Sequence, residues 1–187
     1  MPLSKPAERE HIHTRKVICE GFKRADGLWD IEAYLEDTKT YGFDNEHRGG
    51  RIEAGEPVHG LYLRVTLDLD FKIHDVEAAS DLTPFGVCTS ATEPMKKIIG
   101  MSIGPGWMRK VRESVGARTS CTHLVEMLTH IATAAYQTMH YAIEQRAEAE
   151  EKRGKPRIID TCVALASDSP VVKKQWPEFY VEPGNQQ

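Results

Sequence analysis

The fold is decided by residues 59–70, which read HGLYLRVTLDLD. Along this stretch, apolar residues on one face alternate with mostly polar residues on the other. This alternation predicts a strand with one buried face. His59 falls on the same face as the leucines, at the mouth of the strand. The aspartates at the far end predict a turn, after which residues 72–79 return as an antiparallel partner.

The same reasoning extends outward to the remaining elements. Residues 29–36 alternate in the same way and predict a second half-buried strand, and residues 14–23 predict another. Farther along, the spacing changes to that of helices, which are expected over 93–99, 107–115 and about 120–152. We therefore predict an α+β fold: an antiparallel sheet of three to five strands packed against a long C-terminal helix plus shorter helices.

Three segments are expected from these patterns. Residues 1–13 predict a flexible polar leader, and residues 14–157 a single α+β domain. Residues 158–187 predict a segment that packs on the domain or on a partner subunit. Within it, 158–165 is apolar enough for a strand or a docked segment, and Ser169 followed by a proline predicts the start of a helix.

Composition excludes several classes of protein. The chain has 187 residues and a net charge of −4, and no basic stripe is interleaved with aromatic residues, so we expect no nucleic-acid partner. No apolar run approaches the roughly 18–20 residues of a membrane span, and the first ten residues lack the apolar core of a signal peptide. We therefore expect a cytoplasmic protein whose four widely spaced cysteines are free thiols or ligands.

The most informative residues chemically are Cys121 and His123, which open the longest helical pattern after a break at residues 116–120. Thr119 or Ser120 is expected to cap the helix. The unpaired N–H groups and the positive dipole end of a helix favour a thiolate or a bound anion in its first turn. This pattern indicates a functional site more than a piece of core.

Other candidates accompany this pair. His59 fits a structural role and a functional one equally well. Asp81 or Asp75 would serve to orient a histidine, although a surface position is the ordinary expectation for both. Tyr62 and Trp107 would stack on an aromatic substrate; the alternatives are an exposed strand face for Tyr62 and core packing for Trp107.

Several separated motifs occur in a fixed order: GFKR at 21–24, DGLWDI at 26–31, DTK at 37–39, IGPGW at 103–107 and CTHL at 121–124. Together, over about residues 14–180, they resemble an uncharacterised bacterial family, a domain of unknown function. The resemblance implies no particular chemistry. It implies a setting among genes for the breakdown of aromatic or other hydrophobic compounds.

A second resemblance covers about residues 56–143. A strand entered at His59, a hairpin, Cys88, a short helix and Cys121 opening a long helix are together similar to the core of NifU-type iron–sulfur scaffolds. In that family three cysteines, at the places of His59, Cys88 and Cys121, hold metal or cluster. With His123 these positions make a mixed nitrogen and sulfur ligand set suited to zinc or iron. His59 departs from the family by replacing a cysteine.

Two function hypotheses follow, with a third left open. The first is a small-molecule enzyme, a lyase or isomerase that moves protons on an aromatic or other hydrophobic catabolite. In this hypothesis His59 and His123 are acid–base groups, and Cys121 is a nucleophile or a small buried residue. The cofactor is none or a single zinc, and a homodimer is compatible with the amphipathic helix.

The second hypothesis is a metal-binding scaffold without turnover. Its ligands would be His59, Cys88, Cys121 and His123, and its metal zinc or an iron–sulfur cluster. The third is a structural partner of another enzyme, with the charged end of the long helix and the tail around Trp176 as its interface.

Overall fold

The computed structural model of the protein describes residues 3–116, 118–150, 154–156 and 158–183. The first two residues of the predicted leader, the predicted helix end at Lys152 and the last four residues of the tail lie outside the described residues. The chain divides into two compact units at Tyr141–Ala142. The domain boundaries predicted at residues 13 and 157 stay predictions.

The described part of the first unit contains six strands: β1 (His13–Lys23), β2 (Trp29–Lys39), β3 (Phe43–Asn45), β4 (Gly50–Ile52), β5 (Pro57–Leu67) and β6 (Ile73–Leu82). Four of them form an antiparallel sheet in the order β1-β2-β5-β6. The predicted sheet of three to five strands is confirmed. Strand β6 is the predicted return of the hairpin, and the Asp68 carboxylate accepts the N–H groups of Asp70 and Lys72 in the turn, at 2.8 and 3.0 Å.

The glycines and the proline of residues 44–57 predict a loop, but this range contains regular structure. Strands β3 and β4 pair with each other and are joined by the 3-10 helix Glu46–Arg48. The turn depends on Gly49, whose φ of 78° lies in the left-handed region that favours glycine. The loop prediction was wrong here because three-residue strands are too short to produce an alternating pattern.

The helical half follows the sheet. Two 3-10 helices, Gly86–Ala91 and Glu93–Ile98, precede α1 (Trp107–Val115) and α2 (Thr122–Ala149). Helix α1 ends at Gly116 as predicted, and the predicted α+β class with a long packed helix is confirmed. Among the described residues no helix is both long and apolar enough to cross a membrane.

The core lies between the sheet and α2. One face of the sheet buries Ile31, Leu35, Leu61 and Val65, and α2 buries Leu124, Leu128, Ile131 and Ala135. Burying each leucine, isoleucine or valine side chain contributes about 1.5–3 kcal/mol. The helix passes so close to β1 that a Cβ at Gly21 would overlap the side chain of Thr138. Only glycine fits at this crossing.

The second unit, residues 142–187, holds the last turns of α2, the 3-10 helices Val163–Leu165 and Pro177–Phe179, and α3 (Pro170–Gln175). Ser169 caps α3 as predicted: its hydroxyl accepts the Val172 N–H at 3.1 Å. The strand considered for residues 158–165 does not form in the described residues. Asp160 instead adopts a positive φ of 67°, which interrupts extended backbone.

Candidate functional site

A polar row crosses the helix-facing side of the sheet at the end where α2 begins. Arg15 on β1 pairs with Asp37 on β2, and Asp37 pairs with His59 on β5. Paired residues of antiparallel strands project to the same side, so the three side chains lie side by side. The register between β2 and β5 shifts directly after Asp37, where β5 carries an extra residue. Such bulges commonly re-aim side chains beside active sites.

The Asp37 carboxylate is the centre of this row. Its Oδ1 accepts bonds from Arg15 Nε at 2.8 Å and from His13 Nε2 at 2.8 Å. Its Oδ2 accepts bonds from Arg15 Nη2 at 2.9 Å and from His59 Nδ1 at 3.0 Å. Four donors occupy the roughly four acceptor positions of a carboxylate.

Asp37 is only 3% exposed, so its ionised form depends on these donors. Burial raises the pKa of this carboxyl, but the bonds from Arg15 and His13 outweigh burial and lower the pKa to about 2. At neutral pH the site therefore holds one fixed buried negative charge.

Cys121 stands at the N-terminus of α2 and caps the helix itself. Its carbonyl accepts the Val125 N–H at 3.1 Å, and the backbone N–H groups of His123 and Leu124 favour the ionised form of its thiol. The expected caps were wrong: Thr119 donates its hydroxyl to the carbonyl of Val115, and Ser120 likewise bonds the end of α1. The predicted helix start was correct, but the residue at the N-cap position is Cys121.

The Cys121 sulfur and His123 form a pair. The distance from Sγ to His123 Nδ1 is 3.6 Å. Burial raises the pKa of the thiol, but the bonds from His123 and the two backbone N–H groups outweigh burial and lower it. In return, the bond to Cys121 raises the pKa of His123 despite partial burial. The pair thus favours a thiolate beside an imidazolium.

His123 brings α2 to the polar row. Its ring lies against that of His59, with centroids 4.3 Å apart and planes at 50°. Burial and the neighbouring His123 lower the pKa of His59, and the bond to Asp37 offsets only part of this effect. Since Nδ1 of His59 bonds Asp37 and Nδ1 of His123 bonds Cys121, the nitrogen left for chemistry on each ring is Nε2.

One turn farther along α2, Glu126 ties the helix to the row. Its carboxylate accepts a bond from Arg15 Nη1 at 2.9 Å. Arg15 therefore bridges a buried carboxylate and a half-exposed one. The six residues His13, Arg15, Asp37, His59, Cys121 and His123, together with Glu126, are called the polar cluster below.

A cavity of about 480 Å³ adjoins the polar cluster. It lies between the end of α1, the first turns of α2 and strands β1 and β2. Arg15 and Glu126 border it, as does Thr122, the residue between Cys121 and His123. His59, His123 and Cys121 do not border it. Arg15 and Glu126 are thus the members of the polar cluster that border the cavity.

The histidines and carboxylate also form a potential metal site. One donor atom from each of Asp37, His59 and His123 lies within 4.8 Å of the other two, and no other group of three such residues occurs in the described part of the chain. Cys88 does not join it. Cys88 lies half-buried in the 3-10 helix Gly86–Ala91, and Cys121, although its sulfur lies 3.6 Å from His123 Nδ1, is likewise not part of this group.

Three further residues named from the sequence lie elsewhere. Asp81 is exposed, at a bulge of β6, and acts electrostatically on Tyr34, on the opposite face of the sheet from His59. Tyr62 is 45% exposed on that same outer face, with its ring 4.7 Å from the Tyr34 ring. Trp107 is buried at the start of α1, as core packing requires.

The orienting carboxylate that the sequence reasoning missed is Asp37. It continues the inward alternation of β2 by one step beyond Leu35, so a carboxylate falls on a buried face. A buried carboxylate requires partners, and this was the available signal. His13 and Arg15 carried no comparable signal, since only the strand pairing brings them to Asp37.

Residues 13–137 match the profile of a protein family described as "Protein of unknown function (DUF2889)". The chain belongs to the DUF2889 family. The matched segment of this DUF2889 domain begins at the first residue of β1 and contains every member of the polar cluster. Neither a curated protein nor a solved structure matches the chain. The similarity to NifU-type scaffolds has no support from these comparisons and stays a prediction.

Proposed function

We propose that this DUF2889 protein is a small-molecule enzyme of the lyase or isomerase class that works by proton transfer. One observation carries the proposal. Two imidazoles lie 4.3 Å apart, and their surroundings shift their pKa values in opposite directions: down for His59 and up for His123. Neighbouring groups with separated pKa values are the arrangement from which enzymes obtain an acid and a base at one pH.

His59 is the general base in this proposal. Its Nδ1–H donates to the fully bonded Asp37 carboxylate, which fixes the tautomer and leaves the lone pair of Nε2 free. The same division of work occurs where an aspartate orients a catalytic histidine. A lowered pKa keeps His59 neutral near pH 7, as a base must be.

His123 is the general acid. The bond to Cys121 favours its protonated form, so Nε2–H is available to protonate a leaving group or a carbanion. Cys121 acts through His123: its thiolate holds the positive ring beside His59. The proton that His59 removes and the proton that His123 gives can then belong to one substrate.

A hydrophobic substrate agrees with the neighbouring cavity. Its walls include Val17, Leu35, Val125 and Met127. A volume of about 480 Å³ lies within the range of ordinary small-molecule sites. An aromatic or other apolar catabolite is therefore the proposed substrate. Its reacting end would have to pass the Arg15–Glu126 pair to meet the two Nε2 atoms.

The test is hydrogen exchange, because a base that removes a C–H proton reversibly allows a solvent deuteron to return to the same carbon. The protein is incubated in D₂O with a panel of aromatic and aliphatic carbonyl compounds, and loss of C–H signals is followed by proton NMR. We expect exchange at a carbon next to a carbonyl in at least one compound. Removal of one acid–base group should slow it about 10²–10⁴-fold.

The variants His59→Gln and His123→Gln should both lose exchange while remaining folded. The matched control is His74→Gln, which removes another histidine bonded to an aspartate, Asp68, at 2.7 Å outside the polar cluster. Exchange that persists in both cluster variants, or that disappears equally in the control, would contradict the proposal.

A second candidate function is metal binding, favoured by the 4.8 Å grouping of Asp37, His59 and His123. Zinc accepts nitrogen, oxygen and sulfur ligands, so the two Nε2 atoms with one more donor would suit it. Asp37 already has four donors, which makes it a better orienting group than a ligand. A NifU-like scaffold role would be one form of this candidate.

Elemental analysis of the natively purified protein distinguishes the two candidates. About one zinc or iron per chain, lost in His59→Gln and His123→Gln but kept in Cys88→Ser, would support metal binding. Metal content unaffected by the two histidine variants would count against it. Cys88→Ser is the control because Cys88 lies outside the grouped residues.

A further inference from the structure

The cavity beside the polar cluster has apolar walls. Its lining includes Val17 of β1, Leu35 of β2, and Val115, Val125 and Met127 of the two helices. Val17 and Val125 are the half-buried members of this set, so a ligand with an apolar body would remove its own apolar surface and theirs from water.

The charged side chains around the cavity are not equally available to bind a ligand. Arg15 and Glu126 border it but bind each other at 2.9 Å, and Arg15 also holds Asp37. Arg112, on the last turn of α1, borders the cavity too. The ion pairs of the described residues do not include Arg112, so its guanidinium is the cation left for a ligand.

The remaining polar wall consists of hydroxyl groups and one imidazole. Ser120 and Thr122 lie where α2 begins, and Thr129 and His130 lie two turns farther along. The Ser120 hydroxyl donates to the Gly116 carbonyl at 3.0 Å, so it is occupied. Among the described residues, Glu126 is the carboxylate that borders the cavity, and it shares Arg15 with Asp37.

We propose that this cavity binds small monocarboxylates with an apolar body, with the carboxylate on Arg112 and the body against Val17, Leu35 and Val125. A guanidinium suits this group because its planar donors match the two oxygens of a carboxylate. The inference deepens the proposed function and rests on it in one respect: the bound acid is the substrate of the polar cluster. Binding itself is independent of that chemistry.

The probes are 4-phenylbutanoate and 4-phenylbutanamide, which share an apolar body and differ in charge. Isothermal titration with the full chain should show the acid binding about tenfold more tightly than the amide, as one charge-assisted bond supplies. Arg112→Gln should abolish this preference and leave the amide affinity unchanged. The matched control Arg109→Gln lies on the same helix but does not border the cavity, so it should keep the preference.

Filling the cavity gives a second, independent variant. Val125→Phe should weaken the binding of both probes together. Equal affinity of the native chain for acid and amide would overturn the proposal, as would an acid preference that survives Arg112→Gln or disappears in Arg109→Gln. Acid binding without proton exchange would contradict the proposed function and leave the carboxylate site standing. Exchange without acid preference would overturn the carboxylate site only.

Discussion

Two histidine–aspartate pairs lie at opposite ends of β5, and they differ in what surrounds them. His74 bonds Asp68 at 2.7 Å in the hairpin turn after the strand, and the other donors to Asp68 are backbone N–H groups of that turn. His59 bonds Asp37 at 3.0 Å near the start of the strand, where the other donors are side chains.

The comparison shows that the same type of residue pair can serve two different purposes. The Asp68 side chain is 30% exposed and organises a turn. The Asp37 side chain is 5% exposed, is held by Arg15 and His13, and leaves its histidine facing a second imidazole on α2. Burial and cross-strand partners, more than the pair itself, indicate chemistry at His59.

The largest contrast is expected in stability. Asp37→Asn leaves the Arg15 guanidinium without its buried partner, and we expect a loss of about 3 kcal/mol in the free energy of unfolding. Asp68→Asn should cost less than about 1 kcal/mol, because the pair is partly exposed and asparagine also fits a turn. Urea unfolding of both variants measures the difference. Equal losses would remove the distinction between the two pairs.

The second expected effect is a loss of stability at low pH. The folded pKa of Asp37, about 2, lies below its ordinary value of 3.8, so its contribution is complete above pH 4. It should be lost as pH falls from about 4 to about 2, and it amounts to about 2 kcal/mol. Unfolding at a series of pH values measures it. In Asp37→Asn this part of the acid dependence should disappear; an unchanged profile would be incompatible with the assignment.

The smallest effect concerns the cap on α2. Serine is a good N-cap and alanine is a poor one, so Cys121→Ala should destabilise by about 1 kcal/mol and Cys121→Ser by less. Both variants remove the thiolate beside His123, so both should lower the pKa of His123. Thermal unfolding and histidine NMR titration check the two statements separately. A His123 titration that is unchanged in both variants would show that the sulfur does not act on the ring.

The fold was largely predictable because its signals are local. Alternation along β2 and β5 and the glycine at the end of α1 each arise within a few neighbouring residues. The same holds for Cys121 and His123, which are two positions apart at a helix start. The sequence could not supply the partners of Asp37, since Arg15 and His59 lie 22 residues to either side and meet it only through strand pairing.

Cys88 and Asp81 are the converse case: both were predicted as site residues, and both lie outside the polar cluster. Cys88 entered the ligand set through a family resemblance, and order along the chain does not fix where a residue lies in space. Asp81 was one of two aspartates in the hairpin strand, with nothing in the sequence to select it over Asp75. The bulge in β6 leaves it exposed, whereas Asp37 already occupies Nδ1 of His59.

The most direct test of the account is the protonation of the two adjacent imidazoles, read by long-range proton–nitrogen NMR across a pH titration. The account predicts that His59 titrates at lower pH than His123, and that between the two midpoints His59 is neutral with its proton on Nδ1 while His123 is protonated. A His59 that titrates above His123, or that carries its proton on Nε2 when neutral, would contradict the assignment of base and acid.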